Sequence, residues 1–311
     1  MSADRLAALG PDWPHRDRSE RVSAHAMTWH VQRFGPRGPA GEAREQAGRP
    51  DDAPRVLLLH GTGASTHSFR DLAPLVARTA RVLVPDLPGH AGTDTPRGDG
   101  LTLPGMARRV GALCEAFGFA PDMVVGHSAG AAVAIEAALS GHIRPRAIVG
   151  LNAALKPMQG YALFSPLAKA LFVNPLVPMI FARAARREGT ARRLLEQTGS
   201  RLSEEGIEYY RRLFSMTDHV YGALGMMARW DLDTLQSRLP GLATPLLLVT
   251  AADDRTIPSR DAPSHVARVR NGRHVALDGG GHLVHEVEPE RILRLLHGVM
   301  DEAGLRFEAA E

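Results

Sequence analysis

The pentapeptide Gly126-His127-Ser128-Ala129-Gly130 follows the apolar run PDMVV and precedes AAVAIEAAL. It is a G-x-S-x-G pattern in the strand–tight turn–helix setting that lifts a serine hydroxyl above the end of a sheet as a nucleophile. Side chains at Gly126 and Gly130 would collide with neighbouring backbone, and Ala129, Ala131 and Ala132 let the following helix lie close to the strand. A serine hydroxyl needs a base, and the base needs an orienting acid. In this topology the chain order is Ser, acid, His. Near the C-terminus, LDGGGHLVHEVEP sets His282 in a Gly-rich loop after the last apolar run, with His285 as second choice. After AIVGL stands Asn152, not a carboxylate; after LLLVT comes Ala251-Ala252-Asp253-Asp254, so the acid is expected there. Asp254 fits better, because a D-x-x-x-P turn runs from it to Pro258, and Asp253 is the alternative, with a capping role open to it.

The tetrahedral intermediate of acyl transfer needs two oxyanion donors. One is expected from the backbone N–H of Ala129, the other from Thr62 in the loop His60-Gly61-Thr62-Gly63-Ala64-Ser65. That loop lacks the Gly-Lys-Ser/Thr ending of a phosphate cradle and the dinucleotide fingerprint. His282, His285 and Glu286 have no matching third ligand cluster, so neither metal nor cofactor is expected.

These residues must be held by a scaffold. Short apolar runs RVLLL (55–59), RVLVP (81–85), MVV (123–125), AIVGL (147–151), LLLVT (246–250) and HVAL (274–277) alternate with helix-like segments. Continuous runs of this kind suit strands covered on both faces, and the alternation predicts a mostly parallel α/β sheet flanked by helices. Two short strands are expected between Ser19 and Gly35, preceded by a polar tail over 1–18. Residues 36–54, rich in Pro, Gly, Ala and charge, read as a mobile surface loop. Between 156 and 240 the strand rhythm stops and helical stretches such as TARRLLEQTG and EEGIEYYRRLFSM take over, as expected of an inserted helical lid. The core is then 19–155 together with 241–311.

Composition narrows the function classes. Of 311 residues 44% are hydrophobic and 23% charged, ordinary for a globular protein, which excludes a disordered or collagen-like chain. A net charge of +3 is too small to suggest nucleic-acid binding. Residues 156–240 carry twelve basic and eight acidic residues, so the positive excess concentrates in the expected lid. The single cysteine, Cys114, excludes an intrachain disulfide and fits a reducing cytoplasm; its apolar-periodic surroundings point to helix packing. The first twenty residues lack a secretory pattern, and no stretch reaches the ~18 apolar residues of a membrane span.

HGTGAS, PDLPGH, GHSAG, the Asp254 turn and GGGHLVHE together resemble the α/β-hydrolase superfamily across residues 19–311. More narrowly, WHVQRFGPRGP, LLLHGTGASTHSFRDLAPL, VPDLPGHAGTDTP and GLNAAL are similar to the magnesium-chelatase accessory protein family of bacteriochlorophyll biosynthesis. The segments FSPLAKAL, RLLEQTGSRL and HVYGALGMMARWDL match it within the expected lid, where sequences normally diverge. The resemblance implies a cytoplasmic or membrane-peripheral protein of photosynthetic pigment synthesis, with Ser128, Asp254 and His282 in the triad positions. Two departures, the long 36–54 loop and His90-Ala91-Gly92 where His-Gly is usual, leave the triad untouched.

Two functions follow from these residues. One is a serine hydrolase acting on an ester or related acyl bond of a bulky apolar substrate; the other is a non-catalytic porphyrin-binding accessory protein of magnesium chelatase. Arginines over apolar lid walls suit a carboxylate-bearing tetrapyrrole or an anionic membrane surface, with Met226, Met227 and His127 as candidate substrate contacts. Packing of the lid against the core is the competing role for the two methionines. Magnesium-chelatase subunits are the expected protein partners. An epoxide or haloalkane hydrolase is disfavoured, since those need Asp where Ser128 stands.

Overall fold

The computed structural model describes residues 5–35, 53–156, 174, 176–187 and 189–305. Eight strands form one sheet: β1 (Ser19–Ala24), β2 (Met27–Phe34), β3 (Arg55–Leu59), β4 (Arg81–Pro85), β5 (Met123–His127), β6 (Ala147–Leu151), β7 (Leu246–Ala251) and β8 (Gly272–Leu277). Their order is β1-β2-β4-β3-β5-β6-β7-β8, antiparallel for β1/β2 and β2/β4 and parallel from β4 to β8. The six apolar runs and the two-strand region all appear as strands. β1 and β2 join through His25 and Ala26, both at positive φ (51° and 57°), the backbone sign that matches strand twist in a two-residue hairpin.

Successive side chains of a strand point to opposite faces, and the core divides accordingly. Leu57, Leu59 and Val124 pack with Met106, Val110 and Leu113 of α2 (Leu103–Ala116) and Val133 of α3 (Ala129–Leu139). Val56, Leu58 and Val125 pack on the other face. There they meet Leu72 and Val76 of α1 (Leu72–Val76), and Ile292 and Leu296 of the C-terminal helix Pro289–Glu302. Both faces are covered, which is why the central strands carry apolar residues at consecutive positions rather than alternating ones. Cys114 is buried in the first cluster, and burial pushes its thiol up to about 12, so it packs as a small hydrophobe.

Between β6 and β7 the described residues form five α-helices and no strand: α4 (Leu176–Ala185), α5 (Thr190–Glu196), α6 (Glu204–Phe214), α7 (Thr217–Arg229) and α8 (Leu232–Arg238). α6 has complete end signals. The Ser203 hydroxyl accepts from Gly206 N–H, Glu204 and Glu205 occupy the first turn, and Arg211 and Arg212 the last. After the insertion come α9 (Ala262–Val266), α10 (Val284–Val287) and α11 (Pro289–Glu302).

One expectation needs correcting. The segment before β1 is not a free polar tail: Leu6, Leu9 and Trp13 are buried against Ala91, Tyr209 and Leu213, and Arg5 reaches the Thr93 carbonyl and Asp218. Three apolar side chains sufficed to dock a segment whose other residues are mostly polar. Of the loop expected over 36–54, all but Ala53 and Pro54 lies outside the described residues, as do 157–173 of the expected lid.

Candidate active site

The chain runs from β3 to β4 on one side and then to β5 on the other, so the connections diverge between β3 and β5. A crevice at the carboxyl ends of such strands is the usual ligand site of open α/β sheets. Ser128 follows β5 there, and the loop holding Thr62 follows β3.

Ser128 has φ 50° and ψ −113°, a conformation that costs a non-glycine residue about 1–3 kcal/mol. Its surroundings enforce it. Its N–H donates to the Leu151 carbonyl (2.9 Å), and its own carbonyl accepts from Ala131 (3.2 Å) and Ala154 (3.1 Å). A Cβ on Gly130 would lie 2.1 Å from the Leu59 carbonyl oxygen, and one on Gly126 would lie 2.4 Å from the Ala131 nitrogen. Both glycines are therefore required by close backbone approach, as their spacing suggested.

The acid–imidazole pair is formed. His282 Nδ1 lies 2.9 Å from Asp254 Oδ2, and Asp254 Oδ1 accepts from the amides of Thr256 (2.7 Å) and Ile257 (2.9 Å). With Nδ1 engaged, Nε2 of His282 is the nitrogen left for a substrate or nucleophile. Asp253 does something else: its Oδ1 accepts from Gly281 N–H at 2.7 Å and holds the loop that carries His282. The two adjacent aspartates thus face different partners, Asp254 the His282 imidazole and Asp253 the Gly281 amide.

His285 is fully buried, and its Nε2–H donates to the Ser68 hydroxyl (2.8 Å), which itself donates to Glu286 (2.7 Å). Burial, then the His282 and Arg70 charges, pulls the His285 imidazole down to about 3, so it stays neutral. Glu286 sits within the same network: it accepts from Tyr210 of α6 (2.6 Å) and pairs with Arg70 (2.6 Å). Burial raises its carboxyl above the usual range despite Arg70. Glu286 thus ties the helix after His282 both to the core and to the insertion.

Two positioning residues were not legible in sequence. Asn152 donates to the carbonyls of Gly281 (2.9 Å) and His282 (2.9 Å) and accepts from Ala251 N–H (2.9 Å). It crosses from β6 to the His282 loop where a carboxylate was sought. Its positive φ of 44° would be a signal only once a turn after β6 is known. Asp86 is the other. It takes His30 Nδ1 (2.6 Å) and the amides of Thr66 (2.7 Å) and Gly92 (3.0 Å). Burial pushes its carboxyl up, but His30, His60 and the Thr66 amide together outweigh this and hold it at about 2.

The candidate substrate contacts are placed differently. His127 is buried, its Nε2 2.9 Å from the His282 carbonyl, and burial and its neighbouring imidazoles hold it well below the usual histidine range. It is a strut behind His282 rather than a surface facing a ligand. Met226 is buried in the core cluster with Leu101 and Leu103, and Met227 is half-buried. The amides of Thr62 and Ala129 have no acceptor among the described residues. Among those residues no group of three or more His, Cys, Asp or Glu is arranged to hold a metal ion.

A family model described as the alpha/beta hydrolase fold matches residues 54–289. The chain belongs to the α/β-hydrolase family. Within it, the chain is 36% identical to the magnesium-chelatase 30 kDa subunit of Rhodobacter capsulatus, over 90% of this chain and 93% of that protein. It is 24% identical to monoacylglycerol lipase abhd6-B of Xenopus laevis, over 80% of this chain and 76% of that one. An alpha/beta hydrolase fold protein from Burkholderia ambifaria superposes with a TM-score of 0.72 at 22% identity, covering 90% of this chain and 97% of that one. The α/β-hydrolase fold and the relation to the chelatase subunit agree with the sequence resemblance. No helix among the described residues is long and apolar enough to cross a membrane.

Proposed function

We propose that this chain is a serine hydrolase that cleaves an ester or related acyl bond of a bulky, largely apolar substrate. The observation that carries the reading is the Asp254–His282 pair, together with a serine held at φ 50° in the tight turn after β5. In this mechanism Ser128 Oγ attacks the substrate carbonyl carbon and its proton passes to His282 Nε2. Asp254 accepts from Nδ1–H and stabilises the imidazolium, while the Thr62 and Ala129 amides take the charge on the carbonyl oxygen. The carbon–oxygen bond to the leaving alcohol then breaks as His282 returns the proton to it. Water, deprotonated by the same imidazole, hydrolyses the acyl-serine and frees the acid.

A cleft of about 220 Å³ beside the Asp254 turn supports the substrate class. It combines Ala153, Leu155, Ile257 and Pro258 with Arg260 and the Lys156–Asp261 ion pair (3.8 Å), a lining suited to a largely apolar arm. Its volume is below the ~300 Å³ at which whole drug-sized ligands are enclosed, so it would take one arm of a larger molecule. α4 supports a role for the insertion at a membrane surface. Leu176, Met179 and Ile180, spaced to share one helix face, are 56%, 51% and 62% exposed. Arg183, Arg186 and Arg187 follow, also exposed and without a carboxylate partner among the described residues. An apolar stripe with flanking arginines suits the interface of an anionic bilayer.

The relation to a magnesium-chelatase subunit favours a second reading. In it the chain serves magnesium insertion in bacteriochlorophyll synthesis by holding the porphyrin for chelatase subunits, without hydrolysis. Ser128→Ala in a pigment-producing host, paired with fluorophosphonate labelling of the purified protein, separates the two. The hydrolase reading expects labelling of the wild type, none of the variant, and reduced magnesium-tetrapyrrole formation in the variant host. Unchanged pigment from the variant host would leave hydrolysis without a pathway role.

A further inference from the structure

Besides apolar contacts at Ala64, the insertion reaches the expected oxyanion loop through a histidine hydrogen bond. His219, in the first turn of α7, is fully buried. Its Nδ1 accepts from Ala91 N–H at 3.0 Å, which leaves Nε2 as the protonated nitrogen, and Nε2 lies 3.1 Å from the Gly63 carbonyl. The Gly63–Ala64 peptide is held at its other end too, because Ala64 N–H donates to the Gly61 carbonyl at 3.2 Å. Gly61 belongs to the peptide unit whose N–H is that of Thr62. Its carbonyl also faces His60 Nδ1 at 2.8 Å, and His60 Nε2 accepts from Leu87 N–H (2.8 Å). Gly63, with φ +76°, makes the tight turn that lines these peptides up.

We infer that His219 is a positioning residue for acyl transfer, which aims and polarises the Thr62 amide through the Gly63–Ala64 and Gly61–Thr62 peptides. The inference rests on the hydrolase reading for its chemical consequence, but its geometric half stands apart from it. Each hydrogen bond in such a chain strengthens the next, so a donor at one end makes the N–H at the other a better one. The trans peptide also fixes direction: with the Gly61 carbonyl held, the Thr62 N–H points the opposite way. α7 cannot swing away without breaking this chain. Its Gly222 lies so close to the loop after β4 that a Cβ there would be 2.1 Å from the Gly89 carbonyl oxygen. This part of the insertion packs backbone to backbone against the loop after β4. The ring stays neutral, since burial lowers it to about 4, and the tautomer that donates to Gly63 persists at neutral pH.

His219→Phe keeps a flat ring and removes both hydrogen bonds; His219→Gln keeps an N–H that reaches the Gly63 carbonyl. Two readouts are taken on both variants after a thermal melt confirms a folded protein. Removal of an oxyanion donor lowers rates by ~100- to 1000-fold, so misaiming one is expected to lower fluorophosphonate labelling and kcat for a p-nitrophenyl ester by ~10-fold or more. KM is expected to change less than ~3-fold, and His219→Gln to recover much of the loss. Hydrogen exchange of the Ala64 amide is expected to accelerate in His219→Phe while the α11 amides are unchanged. Labelling of His219→Phe at the wild-type rate, or an unchanged Ala64 exchange rate, overturns the inference. If the wild type itself is not labelled, the hydrolase reading fails, and the exchange measurement alone decides whether His219 holds the turn.

Discussion

Glu286 gives the sharpest energetic test, because its carboxylate is fully buried and its partners are few: Arg70, Tyr210 and Ser68. Arg70→Met removes the only cation and leaves the charge facing two hydroxyls. Breaking one side of a buried ion pair costs about 3–5 kcal/mol, and the two remaining donors place this case near about 3 kcal/mol. Glu286→Gln is milder, at about 2 kcal/mol, because Arg70 is partly exposed and has the His67 carbonyl and Asp71 as other partners. If the two groups act on each other, the double variant loses about 3 kcal/mol rather than about 5, a coupling of about 2 kcal/mol in urea unfolding. pH supplies a second check. Burial already holds the folded carboxyl above its usual value, and removing Arg70 raises it further. A group raised on folding contributes stability below its unfolded pKa of about 4.3 and loses it as pH rises through the folded value. The Arg70→Met deficit should therefore shrink as pH falls toward the unfolded value of about 4.3. A coupling under about 0.5 kcal/mol, or a deficit that grows on acidification, would refute the reasoning.

The other predictions concern the site and its surroundings. Asp254→Asn should lower ester turnover by ~1000-fold or more, since the imidazole loses its orienting carboxylate, whereas Asp253→Asn should cost under ~10-fold. Steady-state kinetics on the two variants reads this directly, and equal losses would undo the assignment. Gly130→Ala should destabilise by about 1–3 kcal/mol, because the new methyl meets the Leu59 carbonyl oxygen, and a thermal melt would show it. Leu176→Ser with Ile180→Ser should reduce co-sedimentation with anionic phosphatidylglycerol vesicles, and phosphatidylcholine vesicles should bind less from the start. Equal binding by wild type and variant would remove α4 from the membrane reading.

The sheet was legible because parallel strands buried on both faces leave uninterrupted apolar runs, as in RVLLL and LLLVT. The serine turn was legible because it demands glycine at 126 and 130, where nothing larger fits. The two aspartates were separable only in three dimensions, since one residue of offset decides whether a carboxylate faces His282 or the Gly281 amide. Asn152, His219 and Glu286 were illegible for a different reason. Each acts through backbone groups or partners far along the chain, and an isolated polar residue carries no periodicity to betray that. The docked segment 5–18 escaped for a related reason: three large apolar residues in fourteen are too few to make a pattern, yet enough to pack against the insertion.

That docked segment also has a temporal consequence. Trp13 stacks edge-on against Tyr209, and Arg212 reaches back to Asp12, so these two of its partners emerge nearly two hundred residues later during synthesis. Those contacts must therefore wait until the insertion has been made. At ~5–20 residues per second that delay is about ten seconds or more, far longer than local helix formation. Completion of the contacts between this segment and the insertion is thus a late event.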